Sequence, residues 1–222
     1  MTRRQWLGTC LLAMLAGCNG TPSTVDAPKQ ATDDTENTNM STEPSQSRDS
    51  VPLTRPLSLS TEAGTQRWKF EVGQPGENSG SSLILGFRMC VADSNQVIAV
   101  EDALFDDRPI VELHLTEMSG GQQSAPVPLT FATLEGVPPE PVFETVPASG
   151  EVTLSGRTSV DKLAMQQAGI DRERETCPVY EFAYAKAVSP GRYALSLTPK
   201  GAYSPPKDAS IELLVAYANR GK

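Results

Sequence analysis

The sequence predicts a mainly β protein: an antiparallel, immunoglobulin-like β-sandwich with one short helical insertion, preceded by a disordered linker. Two observations carry this prediction. From Leu57 onward, short segments of alternating apolar and polar residues are separated by Gly, Pro, Asn and Asp, and a period of two is typical of strands. These segments follow one another without crossover helices, which favours antiparallel pairing.

The strands are predicted from the alternation along the chain. Trp68, Phe70 and Val72 alternate with Arg67 and Lys69, so this strand has one face for the core. The last strand, 210–218, is apolar on both faces, which predicts a central or covered position. The other predicted strands, in chain order, are 83–90, 97–100, 110–115, 127–131, 152–154, 179–184 and 192–198.

One segment predicts the helical insertion. Ser159 is the predicted N-cap, Asp161 lies in the first turn, and Gly169 ends the helix. The apolar residues between them form one stripe at helical spacing.

Two parts of the domain resemble a known group of proteins. They are the Trp-x-Phe-x-Val segment at 68–72 with the Leu-Ile-Leu-Gly-Phe strand at 83–87, and the Pro-Gly-Arg-Tyr-Ala-Leu-Ser-Leu hairpin at 190–197. Together these resemble a family of uncharacterised proteobacterial lipoproteins with a β-sandwich domain. The resemblance covers about 57–222 and implies the fold, but little about function.

The N-terminus predicts an export signal over residues 1–17. Arg3 and Arg4 precede an apolar run of about eleven residues, which as a helix spans roughly 16 Å and is too short for a ~30 Å hydrocarbon core. Leu15-Ala16-Gly17-Cys18 resembles the lipobox of bacterial lipoproteins. That resemblance implies cleavage between Gly17 and Cys18, and diacylglycerol on the Cys18 thiol.

Two further features concern the route of export and the final membrane. The arginine pair followed by Gln5-Trp6-Leu7 also resembles a twin-arginine signal, so both that route and the general secretory route stay open. In enteric-type systems, an aspartate after the lipid-bearing cysteine resembles an inner-membrane retention signal. Asn19 stands there instead, which favours the periplasmic face of the outer membrane.

Residues 18–56 predict the lipid-bearing cysteine and a disordered linker, and 57–222 the folded domain. The linker is almost entirely polar, so it buries too little surface to offset its ordering entropy. The chain carries a formal charge of −8, which becomes −10 once residues 1–17 leave with two arginines, and −7 on 57–222. This acidic balance argues against a nucleic-acid partner.

Two cysteines remain after Cys10 leaves with the signal and Cys18 takes lipid. Cys90 and Cys177 would lie in an oxidising compartment, which favours a disulfide between them. The alternatives are two free buried thiols or a redox or metal role, the last weakened because neither belongs to a C-x-x-C motif.

Three motifs can be compared with known chemistry. Ser159-Val160-Asp161-Lys162 matches the S-x-x-K of serine acyltransferases, but the partner motifs of those enzymes are missing and capping explains Ser159. Glu112 and His114 are two apart on a predicted strand, so they share a face; an ordinary polar face is the preferred interpretation. Asp93-Ser94-Asn95 and Asp106-Asp107 lack calcium-loop spacing, so turns are the preferred interpretation. We therefore predict no catalytic set, metal or cofactor.

Loops are the remaining candidates for a binding site. Segments 73–81, 118–126 and 135–150 are rich in Gly, Pro, Ser and Glu. Within the last, a proline-stiffened stretch carries Glu140 and Phe143, which we predict as partner-binding residues because a stiff segment loses less entropy on docking. An extended connector is the alternative interpretation.

These observations favour a non-enzymatic interaction module tethered to the outer membrane. One version is an immunity lipoprotein that neutralises a toxin delivered to the periplasm, because an acidic domain attracts a basic partner. The alternatives are a cell-envelope hydrolase, or an envelope protein with a structural or stress role.

Overall fold

Two antiparallel sheets pack together in the computed structural model of the chain, which confirms the mainly β prediction. The structure describes residues 49–120, 122–135, 140–171, 176–201, 203, 205 and 209–220. The predicted signal peptide, the lipidation site Cys18 and the linker up to residue 48 lie outside these residues.

Among the described residues, the larger sheet has seven strands. In spatial order they are β1 (Leu53–Pro56), β12 (Ala209–Asn219), β3 (Ser79–Val91), β10 (Val179–Lys186), β6 (Leu129–Glu135) and β7 (Glu140–Thr145), with β9 (Gly156–Arg157) also paired to β10. The smaller sheet has five: β2 (Gln66–Val72), β11 (Gly191–Pro199), β4 (Ile110–Ser119) and β5 (Gln122–Pro126), with β8 (Glu151–Thr153) also paired to β4. All named strand pairs are antiparallel.

The core lies between the sheets. In β2 the alternation works as predicted: Phe70 and Val72 are buried while Arg67 and Lys69 are exposed. At the centre, the Phe87 ring lies 5.3 Å from the ring of Tyr180. Buried residues of both sheets complete this cluster, among them Phe182, Leu113, Leu115, Leu195, Leu197 and Leu213. Burying each such side chain contributes about 1.5–3 kcal/mol.

The larger sheet is also covered on part of its outer face. β12 lies between β1 and β3, which confirms the predicted central position. A second apolar cluster forms on that face, where Met165 of helix α2 (Lys162–Gln167) packs against Ile84 and Leu214. The sequence predicted one core face for β3, but this cover explains why Ile84 is fully buried too.

Helix α2 is the predicted helical insertion, and it begins later than predicted. Asp161, not Ser159, is the N-cap, because its Oδ1 accepts a hydrogen bond from the Ala164 amide at 3.1 Å. Gly169 follows the helix with φ 68°, the left-handed conformation that ends helices.

The strand predicted at 97–100 is wrong, because Val97–Asp106 forms helix α1. Val100 and Leu104 are buried at helical spacing. Glu101 accepts a hydrogen bond from the Tyr180 hydroxyl at 2.8 Å, which ties α1 to β10. A four-residue apolar run does not distinguish strand from helix. Short 3-10 helices also form at Thr61–Ala63 and Ser94–Gln96.

The predicted boundary at Leu57 needs correction. Leu53–Pro56 forms β1 against β12, with Leu53 opposite Val215 and only 2% exposed. The folded domain therefore begins ahead of β1, and the predicted disordered linker does not extend to residue 56. A single buried leucine in a polar stretch carries no periodic signal for this strand.

Candidate functional site

An exposed aromatic residue lies on β7, which is an edge strand of the larger sheet among the described residues. The segment around Phe143 was predicted as a loop, but it forms β7, the last strand of that sheet, with Phe143 opposite Ala132 of β6. Pro141 lies within it, and proline is tolerated in edge strands because its missing N–H can lie on the side that has no neighbouring strand. Because Pro141 interrupts the alternating pattern, this strand was not predicted from the sequence.

Phe143 is held in place although it is exposed. Its side chain is 54% exposed, its ring lies 6.1 Å from the Tyr184 ring, edge to face, and the Lys186 Nζ lies 5.0 Å from its centroid. These contacts restrict the orientation of the ring. Glu140, the other predicted partner residue, lies at the start of the same strand, opposite Glu135 in register.

Glu112 and His114 share the outer face of β4, as predicted. His114 Nε2 lies 3.1 Å from Glu112 Oε1, and Lys200 Nζ lies 2.6 Å from Glu112 Oε2. The hydrogen bonds from Lys200 and then His114 lower the pKa of the Glu112 carboxyl. Lys200 is the third group that spacing on β4 did not reveal, because it follows the neighbouring strand β11.

This trio forms a hydrogen-bonded network open to water, in which Lys200 and Glu112 are an ion pair. The side chain of His114 is 44% exposed and that of Glu112 33%, so both groups are in contact with water, whereas catalytic groups are commonly more buried. A recess of about 380 Å³ lies beside His114, lined by Thr116, Val127, Thr145 and Gly150. No described contact joins the imidazole to a hydroxyl that it could activate.

A cleft of about 930 Å³ lies beside α2, and its walls include Ser159, Lys162 and Cys177. Ser159 precedes the helix cap, so Ser159 and Lys162 do not lie on successive turns of one helix as the S-x-x-K motif requires. The structure thus removes the geometric basis for that comparison.

The buried side chains Arg88 and Asp161 of the cleft wall have hydrogen-bond partners. Arg88 Nε donates to Glu212 Oε2 at 2.6 Å and Arg88 Nη1 to the Ile170 carbonyl at 2.7 Å. Ser79 Oγ donates to Asp161 Oδ2 at 2.6 Å, and this bond lowers the pKa of the Asp161 carboxyl. Groups satisfied in this way hold α2 and the sheet together.

A buried carboxyl group lies on β10. Glu181 is 4% exposed, and its Oε1 accepts a hydrogen bond from the Tyr184 hydroxyl. Burial raises the pKa of Glu181. Sequence patterns did not indicate this group, since an alternating strand does not reveal which outer positions are covered.

The predicted disulfide is confirmed. Cys90 in β3 and Cys177, just ahead of β10, are bonded with an S–S distance of 2.07 Å. The two cysteines are separated by 87 positions in the sequence, and the bond links β3 to the segment that leads into β10. It therefore makes a structural contribution and leaves no free thiol at either position.

Neither a membrane-spanning helix nor a metal centre is found within the described part of the chain. No helix there has the length and apolarity to cross a membrane, and no group of three or more His, Cys, Asp or Glu side chains is placed to hold a metal ion. No protein-family model, curated protein or solved structure matches the chain. Its function must therefore be inferred from the residues themselves.

Proposed function

We propose that the protein is a lipid-anchored module of the outer membrane that binds a protein partner in the periplasm and carries out no chemistry on it. The observation that carries this proposal is the exposed Phe143 on the edge strand β7. The lipobox-like Leu15-Ala16-Gly17-Cys18 supports the anchor, since two or three acyl chains give stable attachment where one is marginal.

An edge strand offers two kinds of contact to a partner. Its outer backbone N–H and C=O groups can pair with an added strand. Phe143, restrained by Tyr184 and Lys186, supplies an aromatic anchor of the type that dominates binding energy at protein interfaces. The charge of −7 on 57–222 speeds encounter with a basic partner, and this effect weakens as salt screens it.

Capture from envelope extract tests the proposal. The full chain, extracted in detergent, is immobilised as wild type, Phe143→Ser and the control Ile98→Ser. Ile98 is 71% exposed on α1, so its change removes an equally apolar side chain from another surface. We expect one partner, retained by wild type and by the control and lost with Phe143→Ser.

Two results would contradict this function. One is equal retention of the partner by all three proteins, which would remove β7 from the interface. The other is no retained protein together with a hydrolytic activity that disappears in His114→Ala or Ser159→Ala, which would favour an envelope enzyme.

A further inference from the structure

On the outer face of the smaller sheet, two small side chains of β11 lie between the outward side chains of β2 and β4, and this strip is called the trough below. Tyr193, Leu195 and Leu197 point into the core, so Ala194 and Ser196 between them point outward. Ala194 and Ser196 are small, whereas Arg67 and Lys69 of β2 on one side and His114 of β4 on the other are longer. The trough is thus a property of side-chain size on three adjacent strands.

Cationic side chains line one wall of this trough. Arg67 of β2 lies opposite Ser196, and Lys69 lies opposite Ala194. Both are exposed, and neither forms an ion pair with any described residue. Arg67 and Lys69 therefore carry positive charge that no described neighbour neutralises, on a domain whose overall charge is negative.

The opposite wall supplies polar groups in the same rows. His114 of β4 lies opposite Ser196, and Thr116 lies opposite Ala194. Each row across the trough therefore runs from a cation through a small residue to a hydrogen-bonding side chain. Thr198, the next outward residue of β11, bonds to Thr65 through their hydroxyls at 2.8 Å.

The dimensions of the trough match one extended chain. Strands lie about 4.8 Å apart, so the walls on β2 and β4 are separated by roughly 10 Å. Arg67 and Lys69 are two residues apart on one strand, a spacing of about 6.5–7 Å. This equals the repeat of alternate side chains in an extended peptide.

Carboxylates limit the length of the positive strip. At one end Glu71 pairs with Arg192 at 3.1 Å, and at the other Glu112 lies opposite Thr198. A long polyanion or a lipid surface would meet these acids, whereas a short acidic segment would not. Trp68 packs towards the core, which leaves no aromatic ring of β2 on this face for stacking a sugar.

We propose that the trough over β11 binds an extended acidic segment of a protein partner. Carboxylates at alternate positions of that segment pair with Arg67 and Lys69, and Ser196 and Thr116 donate hydrogen bonds to it. This surface lies on the smaller sheet, not on the sheet that carries β7. It adds a second binding site to the one proposed above.

Peptide binding to the detergent-solubilised full chain tests this site. The probe is a fluorescein-labelled eight-residue peptide whose only charged side chains are two central glutamates two residues apart, compared with the same peptide carrying glutamine at those two positions. We expect the glutamate peptide to bind at least about tenfold more tightly, and Arg67→Gln/Lys69→Gln to remove that difference. Fluorescence anisotropy measures the affinity of both peptides in 50 mM and 300 mM salt, and we expect the glutamate peptide to bind more weakly at higher salt.

A matched variant separates local from general charge effects. Lys162→Gln/Arg220→Gln removes two exposed cations from the cleft beside α2, and we expect it to bind within about twofold of wild type. Phe143→Ser should also bind normally, so failure at β7 and failure here are distinguishable. Thermal unfolding checks that all variants are folded.

Three outcomes would overturn the proposal. The first is that wild type shows no preference for the glutamate peptide. The second is that both double variants lose binding equally, which would indicate attraction by overall charge alone. The third is binding of polygalacturonate, weakened by Arg67→Gln/Lys69→Gln, with no binding of either peptide. That result would assign the trough to an anionic saccharide.

Discussion

Gly150 lies directly against the imidazole of His114. At its φ of 77°, a Cβ on Gly150 would lie 2.6 Å from His114 Cε1 and 2.8 Å from the Leu113 carbonyl oxygen. The Leu113 amide donates to the Gly150 carbonyl at 2.8 Å, so the two backbones are already bonded. The turn ahead of β8 thus requires glycine both for its left-handed conformation and for this close approach.

We therefore expect Gly150→Ala to lower the free energy of unfolding by about 1–3 kcal/mol. Moving the His114 ring relieves one contact, but the contact with the Leu113 backbone remains. Gly156→Ala is the control, since a Cβ on Gly156 would meet no described atom within 4 Å and the residue has no left-handed φ. Urea unfolding compares the two, and equal stabilities would show that the turn adapts at little cost.

How far the sequence predicts this molecule depends on burial. β2 was predicted correctly because only one of its faces is buried, which leaves the alternation of Phe70 and Val72 visible. β1 and β7 were missed because edge strands need fewer apolar residues, and Pro141 interrupts the pattern of β7. The pairing of Cys90 with Cys177 followed from compartment and count alone.

The candidate sites also contain some residues that the sequence placed correctly and others that it did not reveal. Spacing placed Glu112 and His114 on one face, but it could not supply Lys200, which the pairing of β11 with β4 brings to them. Phe143 was predicted as a contact residue because its segment was expected to be a proline-stiffened loop. In the structure it lies on β7, and contacts with Tyr184 and Lys186 of β10 restrain its ring. Residues joined by sheet register rather than by chain spacing are outside the reach of sequence patterns.

The disulfide should contribute substantially to stability. In the loop-entropy model, the 87-residue separation of Cys90 and Cys177 corresponds to roughly 4–5 kcal/mol. We expect Cys90→Ala/Cys177→Ala to lower the free energy of unfolding by up to this amount. Mass spectrometry after alkylation of exported protein should find both residues unmodified before reduction and modified after it. Full modification without reduction would show that the bond does not form in the cell.

Glu181 should make stability depend on pH. Its pKa in the folded state is raised by burial above the unfolded value, so the folded protein favours the neutral carboxyl. The stability associated with that neutral form is complete below the unfolded pKa, near 4.5, and is lost as pH rises through the folded pKa. Wild type therefore becomes less stable relative to Glu181→Gln as pH rises.

Urea unfolding at pH 4 and pH 8 measures this effect. Glu181→Gln keeps the side-chain shape and an oxygen that can accept from Tyr184, and it should exceed wild type in stability at pH 8 by more than at pH 4. Glu62→Gln, an exposed change, should leave the difference near zero at both values. A Glu181→Gln advantage that is constant with pH would rule out ionisation of this carboxyl as the cause.

Lipidation predicts a mature chain that starts at Cys18. Intact-mass measurement of protein extracted from membranes should show the loss of residues 1–17 and the addition of acyl chains. Cys18→Ala should lose both the mass increase and partition into detergent. Cys10→Ala, which changes a residue of the predicted signal, should leave both intact. Membrane fractionation of Cys18→Ala at the wild-type level would contradict the lipid anchor.

The folded domain should depend on β1. Leu53 is 2% exposed, and β1 pairs with β12 over four residues, so a fragment that starts at Leu57 exposes the outer edge of β12 and the core beneath Leu53. Truncation of a buried leucine to alanine commonly costs about 2–5 kcal/mol. We expect Leu53→Ala to lose about this much, and the fragment 57–222 to lose more than Leu53→Ala does.

Fragment 49–222 is the reference for this comparison, and Thr54→Ala is the control because Thr54 lies on the same strand but is half-buried. Thr54→Ala should lower the free energy of unfolding by less than Leu53→Ala does, since it removes fewer buried atoms. Urea unfolding of the four proteins orders them by how much of β1 remains. If 57–222 unfolds at the same urea concentration as 49–222, β1 adds nothing to the domain, and the boundary at Leu57 would be restored.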